Sequence, residues 1–523
     1  YHNNGLDQQS ILMSKDCLNC TGSVVINPNH FSNDGSVSLA GTYFSKDFKY
    51  LGYAISRSGS DWKEFYIMDL DSKVILKDHL KWIKFSGMQW LDDGFFYNKY
   101  PEPQEGLEIT SINQLSSIYY HKLGTEQSED ILFYEGHEEQ TFTSINLTED
   151  QKYMVLYKSK GTSGNSIAFQ PTNKKVHKFQ SIVNDYDSDQ YIIDYVNGKF
   201  LMKTNRNAPM GKIVLVNPKL PNESNWETII KEEQFPINSI SIINKKLIIK
   251  YLEHSISKIY VHELNGKFLY NIDLPDLGSA WGFSGESMDS ETFYMFTSFA
   301  YPPTIFHYDF NTKKSETIYH SNIAFDPSLY KTEQKFVTSK DGTKVPLFIT
   351  HKKDLERNRK NPTLLSGYGG FNISITPSFK KSKIILLENN GVYASASLRG
   401  GGEYGEEWHR SGMLLNKQNV FDDFIACAEY LIGNWYTSSE KLAIMGGSNG
   451  GLLIGAVVNQ RPDLFKVAFP RVGVMDMLKY EQFTIGWAWS TEYGSIKSAE
   501  HFNNLFSYSP LHNISSTINY PAM

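Results

Sequence analysis

A serine flanked by glycines opens the chemistry of this chain. Ser448 lies in Lys441-Leu-Ala-Ile-Met-Gly-Gly-Ser-Asn-Gly-Gly-Leu-Leu-Ile-Gly-Ala-Val-Val458, a Gly446-x-Ser448-x-Gly450 pattern. The apolar run Leu442 to Met445 before it reads as a buried parallel strand, and the small and apolar residues after it read as a helix. A serine on so sharp a strand-to-helix turn is the setting of a nucleophile elbow. Side chains beside it would strike the neighbouring backbone, so glycine fills those positions. The free N–H groups of the following helix point where an oxyanion forms.

A serine hydroxyl needs a base within hydrogen-bond reach. In this kind of site the partners follow the serine in the order acid, then histidine. After Ser448 come Asp463, Asp476, His501 and His512. Asp463 and His512 sit in turn-like sequence, and neither histidine follows a strand that would carry it to the sheet edge. The acid and base are therefore expected beyond Met523. A second oxyanion donor is expected from the loop Ser366-Gly-Tyr-Gly-Gly-Phe-Asn372, whose glycines allow close approach. Tyr368 could donate through its hydroxyl or be a packed loop tyrosine; Asn449 donates through its N–H.

The elements that must position these groups fall into two patterns. From about residue 329 strands alternate with helices. Val345 to Thr350, Thr363 to Leu365, Val392 to Ser397, Leu442 to Met445 and Val467 to Val472 read as strands. Phe421 to Ile432 reads as an amphipathic helix with Phe421, Phe424, Ile425, Ala428 and Leu431 on one face. This alternation implies a mostly parallel sheet covered by helices, an α/β-hydrolase-like core over 329–523. Residues 1–328 instead carry aromatic-rich strand patterns beginning at Tyr50, Phe95, Tyr153, Phe200, Leu247 and Phe293, spaced 45, 58, 47, 47 and 46 residues apart. A β-repeat near that period suggests a propeller with one four-stranded blade per repeat. Strands before Asn29 would supply most of another, giving about seven blades. A β-sandwich with coincidental spacing is the alternative.

Composition narrows the partners. The 523 residues carry 51 basic and 57 acidic side chains, a net charge of −6, with no block of like charge. Neither nucleic acid nor a membrane surface is indicated, and no apolar run approaches the ~18 residues of a membrane span. Three cysteines argue against a disulfide framework. Cys17 and Cys20 form a lone C-x-x-C without a second ligand pair, so reduced thiols are expected. Sequons occur at Asn19, Asn146, Asn222, Asn372 and Asn513. The chain begins at Tyr1 inside strand-like sequence and stops at Met523 after Asn519-Tyr-Pro; both ends look cut, and the hydrolase domain is expected to be incomplete at its C-terminus.

Several segments together resemble the prolyl oligopeptidase family of serine peptidases. They are Gly367-Tyr-Gly-Gly-Phe-Asn-Ile-Ser-Ile-Thr-Pro377, Arg399-Gly-Gly-Gly-Glu-Tyr-Gly405 with Trp408-His409, Gly446 to Leu452, Asn459-Gln-Arg-Pro-Asp-Leu-Phe465, Val472-Gly-Val-Met-Asp-Met-Leu478 and Thr484-Ile-Gly-Trp-Ala-Trp489. Ser58 to Trp62, Leu123 to Asp130 and Lys203 to Arg206 extend the likeness through the first half. The resemblance implies a seven-bladed propeller joined to an α/β-hydrolase domain that cleaves short peptides after proline. It implies Ser448 as nucleophile and Tyr368 with the Asn449 N–H as oxyanion hole. Trp489, Phe371, Val474 and Tyr493 would line a proline pocket, and Arg206 would face the substrate. An apolar ring stacked on an indole needs no charged anchor. Glu403 reads as structural. The family's acid, histidine and peptide-holding arginine fall in a segment this chain lacks, as does an N-terminal stretch of the hydrolase domain. The expected protein is a cytoplasmic monomer acting on short proline-containing peptides without metal or cofactor. The alternatives are an oligopeptidase or esterase of different specificity, or a propeller-based binding protein with an inactive hydrolase domain.

Overall fold

The computed structural model describes residues 1–138, 140–173 and 178–523. The chain forms two compact units. The first comprises 1–187, 219–224 and 483–487; the second comprises 188–218, 225–482 and 488–523.

The first unit holds a two-stranded hairpin, Leu12–Ser14 with Ser23–Ile26, and three four-stranded antiparallel sheets over 37–83, 89–134 and 142–183. Alternate residues of the strands bury Phe65, Ile67, Leu80, Phe95 and Tyr97, as period-two burial requires. The spacing of 58 residues arises from a connection over 100–116 that contains no strand. Within this unit His121 is fully buried between Asp130, 2.6 Å away, and Asp78, 3.0 Å away. The segment 483–487 is stitched in by its own bonds. The Thr484 carbonyl accepts the Asn113 N–H at 3.0 Å. The Trp487 indole donates to the Asn113 carbonyl at 3.0 Å and stacks on Phe142 at 5.0 Å.

The second unit holds three further four-stranded sheets, over 190–230, 237–272 and 279–320. The described residues thus make six full blades of a β-propeller, not about seven. The residues before Asn29 supply two short strands rather than four, and Cys17 and Cys20 are joined as a disulfide in the turn between them. That bond also corrects the expectation of reduced thiols at these positions.

The second unit also contains a six-stranded sheet built from β1 (Tyr330–Thr338), β2 (Lys344–Lys352), β3 (Thr363–Ser366), β4 (Val392–Ala396), β5 (Leu442–Gly447) and β6 (Val467–Arg471). Their order is β1-β2-β4-β3-β5-β6. The β4, β3, β5 and β6 neighbours pair in parallel, and β1, β2 and β4 pair antiparallel. Beyond β6, Ala522 forms a parallel bridge to Val467. Six helices follow in chain order: α1 (Lys381–Glu388), α2 (Gly405–Arg410), α3 (Gln418–Gly433), α4 (Asn449–Gln460), α5 (Ser490–Tyr493) and α6 (Ala499–Tyr508). α3 buries Val420, Phe421, Phe424, Cys427, Ala428 and Leu431, the i, i+3, i+4, i+7 stripe of a helix on a sheet. α4 is buried on every side from Asn449 to Val458, which explains why its sequence is apolar and small all round. Arg399, Asp423 and Ser339 form a buried polar knot, with Arg399 Nη2 2.6 Å from Asp423 Oδ1 and the Ser339 hydroxyl donating to the same oxygen at 2.6 Å.

Candidate active site

β5 delivers Ser448 to the N-terminus of α4. Its backbone has φ 56° and ψ −118°, a region costly for any residue with a Cβ and typical of strained functional positions. The turn is pinned from both sides. The Ser448 N–H donates to the Arg471 carbonyl at 2.9 Å, and the Ser448 carbonyl accepts from Gly451 at 2.8 Å and Leu452 at 3.1 Å. A Cβ on Gly446 would lie 2.2 Å from the Gly450 carbonyl oxygen, and one on Gly451 would lie 2.5 Å from the Gly473 Cα. Backbone cannot retreat from such contacts, so the motif's glycines are steric necessities. The serine itself is exposed, while Asn449 and Gly450 behind it are buried.

The N–H groups of Asn449 and Gly450 have no acceptor among the described residues. They are orphan donors of a helix's first turn, and the helix dipole favours negative charge there. Tyr368, on the loop after β3, lies beside this turn: a Cβ on Gly450 would be 3.5 Å from its ring. Burial raises the Tyr368 phenol above its ordinary value, with the Ser448 hydroxyl acting the other way, so it stays protonated and able to donate at neutral pH. The Asn449 side chain fastens this loop: its Nδ2 donates to the Tyr368 carbonyl at 2.7 Å. Its Oδ1 accepts the Tyr493 hydroxyl at 3.0 Å.

Phe371 meets Tyr493 edge-on with ring centres 5.4 Å apart. Tyr493 meets Tyr480 edge-on at 5.4 Å, and Tyr480 stacks on Trp489 at 6.4 Å. Tyr493 is buried, whereas Phe371, Val474 and Trp489 are half-buried against the same apolar core. The structure thus brings Ser448, Tyr368, Asn449, Tyr493 and Phe371 into one cluster, with Trp489 joined through Tyr480. Arg206 lies at the end of the blade strand Lys199–Thr204, and its Nη1 donates to the Ser188 hydroxyl at 3.2 Å; none of the bonds described for it reaches that cluster.

No described histidine bonds Ser448. His501 accepts the Ser495 N–H at 3.2 Å, and His512 Nδ1 is 2.8 Å from the Ser509 hydroxyl. Asp463 is held by Arg461 at 2.8 and 2.9 Å, and Asp476 accepts the Leu478 N–H at 3.0 Å. Among the described residues no group of three or more metal-ligating side chains is gathered, and no helix is long and apolar enough to cross a membrane.

Beneath the Tyr368 loop lie three charged residues that sequence reading did not single out as functional: His409, Lys417 and Glu492, each buried. Glu492 Oε2 is 2.8 Å from His409 Nε2 and its Oε1 accepts from Lys417 Nζ at 3.1 Å. They are far apart in sequence, and only the neighbourhood of His409 to the Gly-rich loop hinted at it.

A serine on a sharp strand-to-helix turn of a mostly parallel sheet, in a chain that also forms six propeller blades, is the arrangement of a propeller-bearing serine hydrolase. The chain matches the model described as prolyl oligopeptidase, N-terminal beta-propeller domain, over residues 1–321. It matches that of the prolyl oligopeptidase family over residues 377–523. It belongs to the prolyl oligopeptidase family, and is a serine-type peptidase. Prolyl endopeptidase of Elizabethkingia meningoseptica is 41% identical over 523 residues, 99% of this chain and 74% of that protein. The prolyl endopeptidase of Dictyostelium discoideum is 35% identical, over 95% of this chain and 73% of that one. A solved prolyl endopeptidase structure superposes with a TM-score of 0.94 at 36% identity, covering 99% of this chain and 76% of the other. Prolyl oligopeptidase B from Galerina marginata, bound to a 25mer macrocyclization substrate, also gives 0.94, at 32% identity and 99% and 77% coverage.

Proposed function

We propose that the protein hydrolyses short peptides on the C-terminal side of proline, with Ser448 as nucleophile. The Tyr368 hydroxyl and the Asn449 N–H stabilise the oxyanion, and Trp489, Phe371, Val474 and Tyr493 receive the proline ring. Arg206 contacts the peptide. The acid and histidine of the triad lie outside these 523 residues. The observation that carries the reading is Ser448 at φ 56°, exposed at the start of α4, where the N–H groups of Asn449 and Gly450 have no acceptor among the described residues. Attack by the hydroxyl on a carbonyl carbon creates an oxyanion. Preorganised donors act on that charge in the transition state without reorganising. Collapse of the tetrahedral intermediate breaks the C–N bond and releases the C-terminal peptide as its amine, and water then hydrolyses the acyl-enzyme ester to the free acid and Ser448.

Relatives named dual function macrocyclase-peptidase, from Galerina marginata and Amanita bisporigera, are 32% and 30% identical. The same acyl-enzyme could therefore fall to a peptide amine instead. Mass spectrometry of products separates the two, because hydrolysis adds one water and cyclisation adds none. In the full-length enzyme Ser448→Ala should lower turnover of a proline peptide by about 10⁴–10⁶-fold; retention of activity would sink the assignment.

The division of the chain near 328/329, a monomeric state and a cytoplasmic location belong to the same proposal, as does action without metal or cofactor. Asn372 follows Phe371 directly, so a glycan there would crowd the site, and active protein should carry none. The Cys17–Cys20 disulfide is the observation that pulls against a reducing compartment; thiol titration of protein freshly isolated from its source tests the location.

A further inference from the structure

Three buried charges under the oxyanion loop need a reason. Removing ions from water is costly, and an apolar cluster of equal volume would often be as stable. His409, Lys417 and Glu492 are each about 1% exposed, yet their bonds converge on one short stretch of backbone. Lys417 Nζ donates to the Gly369 carbonyl at 3.0 Å and to Glu492 at 3.1 Å. The carbonyl before Gly370 is thus held by a buried lysine that is itself paired with a buried carboxylate. His409 braces Glu492 from behind at 2.8 Å and faces Glu406 at 3.5 Å. Glu406 is tied in turn to Arg410 at 2.9 Å.

The next residue extends the frame. Tyr493 follows Glu492 in α5, lies under Lys417 Nζ at 5.3 Å, and donates to Asn449, which holds the Tyr368 carbonyl. Two adjacent residues therefore act on both oxyanion donors: Glu492, through Lys417, on the Tyr368 loop at Gly369, and Tyr493 on Asn449, the first residue of α4. Burial pulls His409 down, but Glu406 and Glu492 outweigh it and leave it raised to about 9. Burial pushes Glu492 up, but Lys417 and His409 outweigh it and hold it below the usual carboxylate range. Burial lowers Lys417, with the Glu492 carboxylate acting against that shift.

We propose that Lys417, Glu492 and Tyr493, braced by His409, are positioning residues that set the distance of the Tyr368 hydroxyl and the Asn449 N–H from the oxyanion formed at Ser448. This rests on the assignment of Ser448, Tyr368 and Asn449 above. A misplaced donor weakens the transition state more than the ground state, so the signature is kinetic.

The test uses the full-length enzyme with Glu492→Gln, Lys417→Met and Tyr493→Phe. The last removes one oxygen and leaves the ring packing, so it reads the idea even if the charge variants do not fold. Expected for each folded variant is a fall in kcat of roughly 10- to 100-fold, short of the ~10²–10³ for deleting an oxyanion donor. KM should stay within about threefold. A peptidyl-prolinal aldehyde, which forms a tetrahedral adduct, should lose affinity by the same factor as kcat. Unchanged kcat and aldehyde affinity in folded Tyr493→Phe and Glu492→Gln would overturn the proposal. So would losses confined to KM or to thermal stability. Should Ser448→Ala leave the parent's turnover intact, the functional reading itself falls, and that result is independent of the three variants.

Discussion

At the scale of single residues, the exposed oxygen of Ser448 and the half-buried face of Trp489 carry distinct contributions. Trp489→Ala removes a large aromatic face and should cost roughly 2–4 kcal/mol in kcat/KM on a proline substrate. Trp489→Phe should recover part of the loss. A substrate with alanine at the cleaved position should be nearly indifferent to either change; equal losses on both substrates would show that Trp489 supports the fold and not the pocket. The strand, turn and helix around Ser448 were legible because glycines announce them; the donor roles of Tyr368 and Asn449 belong to the proposed function. The frame of His409, Lys417 and Glu492 was not legible. Its members come from three different helical segments, and nothing in a sequence marks which distant charges will be buried together.

At the scale of elements, the elbow works because two backbones approach more closely than a side chain allows. Gly446→Ala would set a Cβ against the Gly450 carbonyl oxygen, and should destabilise the fold by about 1–3 kcal/mol or prevent it. Denaturant unfolding reads this, and a variant of parental stability would mean that the turn relaxes freely. The polar knot behind α3 makes a larger claim. Asp423 is fully buried against Arg399, which burial lowers and the Asp423 and Asp341 carboxylates more strongly raise. Asp423→Ala leaves that guanidinium only the more exposed Asp341 as an ionic partner and should cost about 3 kcal/mol, the low end for a broken buried pair; a midpoint shift worth less than 1 kcal/mol would contradict it. Periodicity located α3 to within a few residues, Phe421 to Ile432 against Gln418–Gly433, because its apolar stripe faces one sheet. Blade number was harder to read. Aromatic clusters mark the well-packed second strands of blades, and they cannot report that the residues before Asn29 fold as a hairpin.

At the scale of the whole molecule, buried titrating groups shape the dependence of stability on pH. Burial lowers His121, but Asp130 and Asp78 outweigh it and leave it raised to about 9; His409 is raised to about 9 as well. Each contributes stability that is fully present below pH 6.5 and lost as pH climbs through 9. Burial raises Glu403 to about 8, so the folded chain keeps a proton that the unfolded chain releases above 4.5, and this also favours folding at lower pH. Burial lowers Lys203 and Lys383 to about 8, with the opposite slope, but only above that value. Between pH 6.5 and 8 the stability should therefore fall by on the order of 1–2 kcal/mol per group, and the melting temperature should fall with it. Glu403→Gln should flatten the curve. A melting temperature that rises across this window would refute the account.

The inclusion of 483–487 in the first unit has a consequence for how the chain is made. A ribosome releases residues 1–187 long before Trp487, and the intervening 188–482 must be closed as a loop, mostly of residues that belong elsewhere. Closure entropy grows slowly with length, so the finished contact is not prohibitively weak. Its lateness matters more. Until Trp487 emerges, the Phe142 ring lacks its stacking partner and the Asn113 backbone lacks two hydrogen bonds. During synthesis the first three blades therefore wait with an unfinished surface until 483–487 emerges.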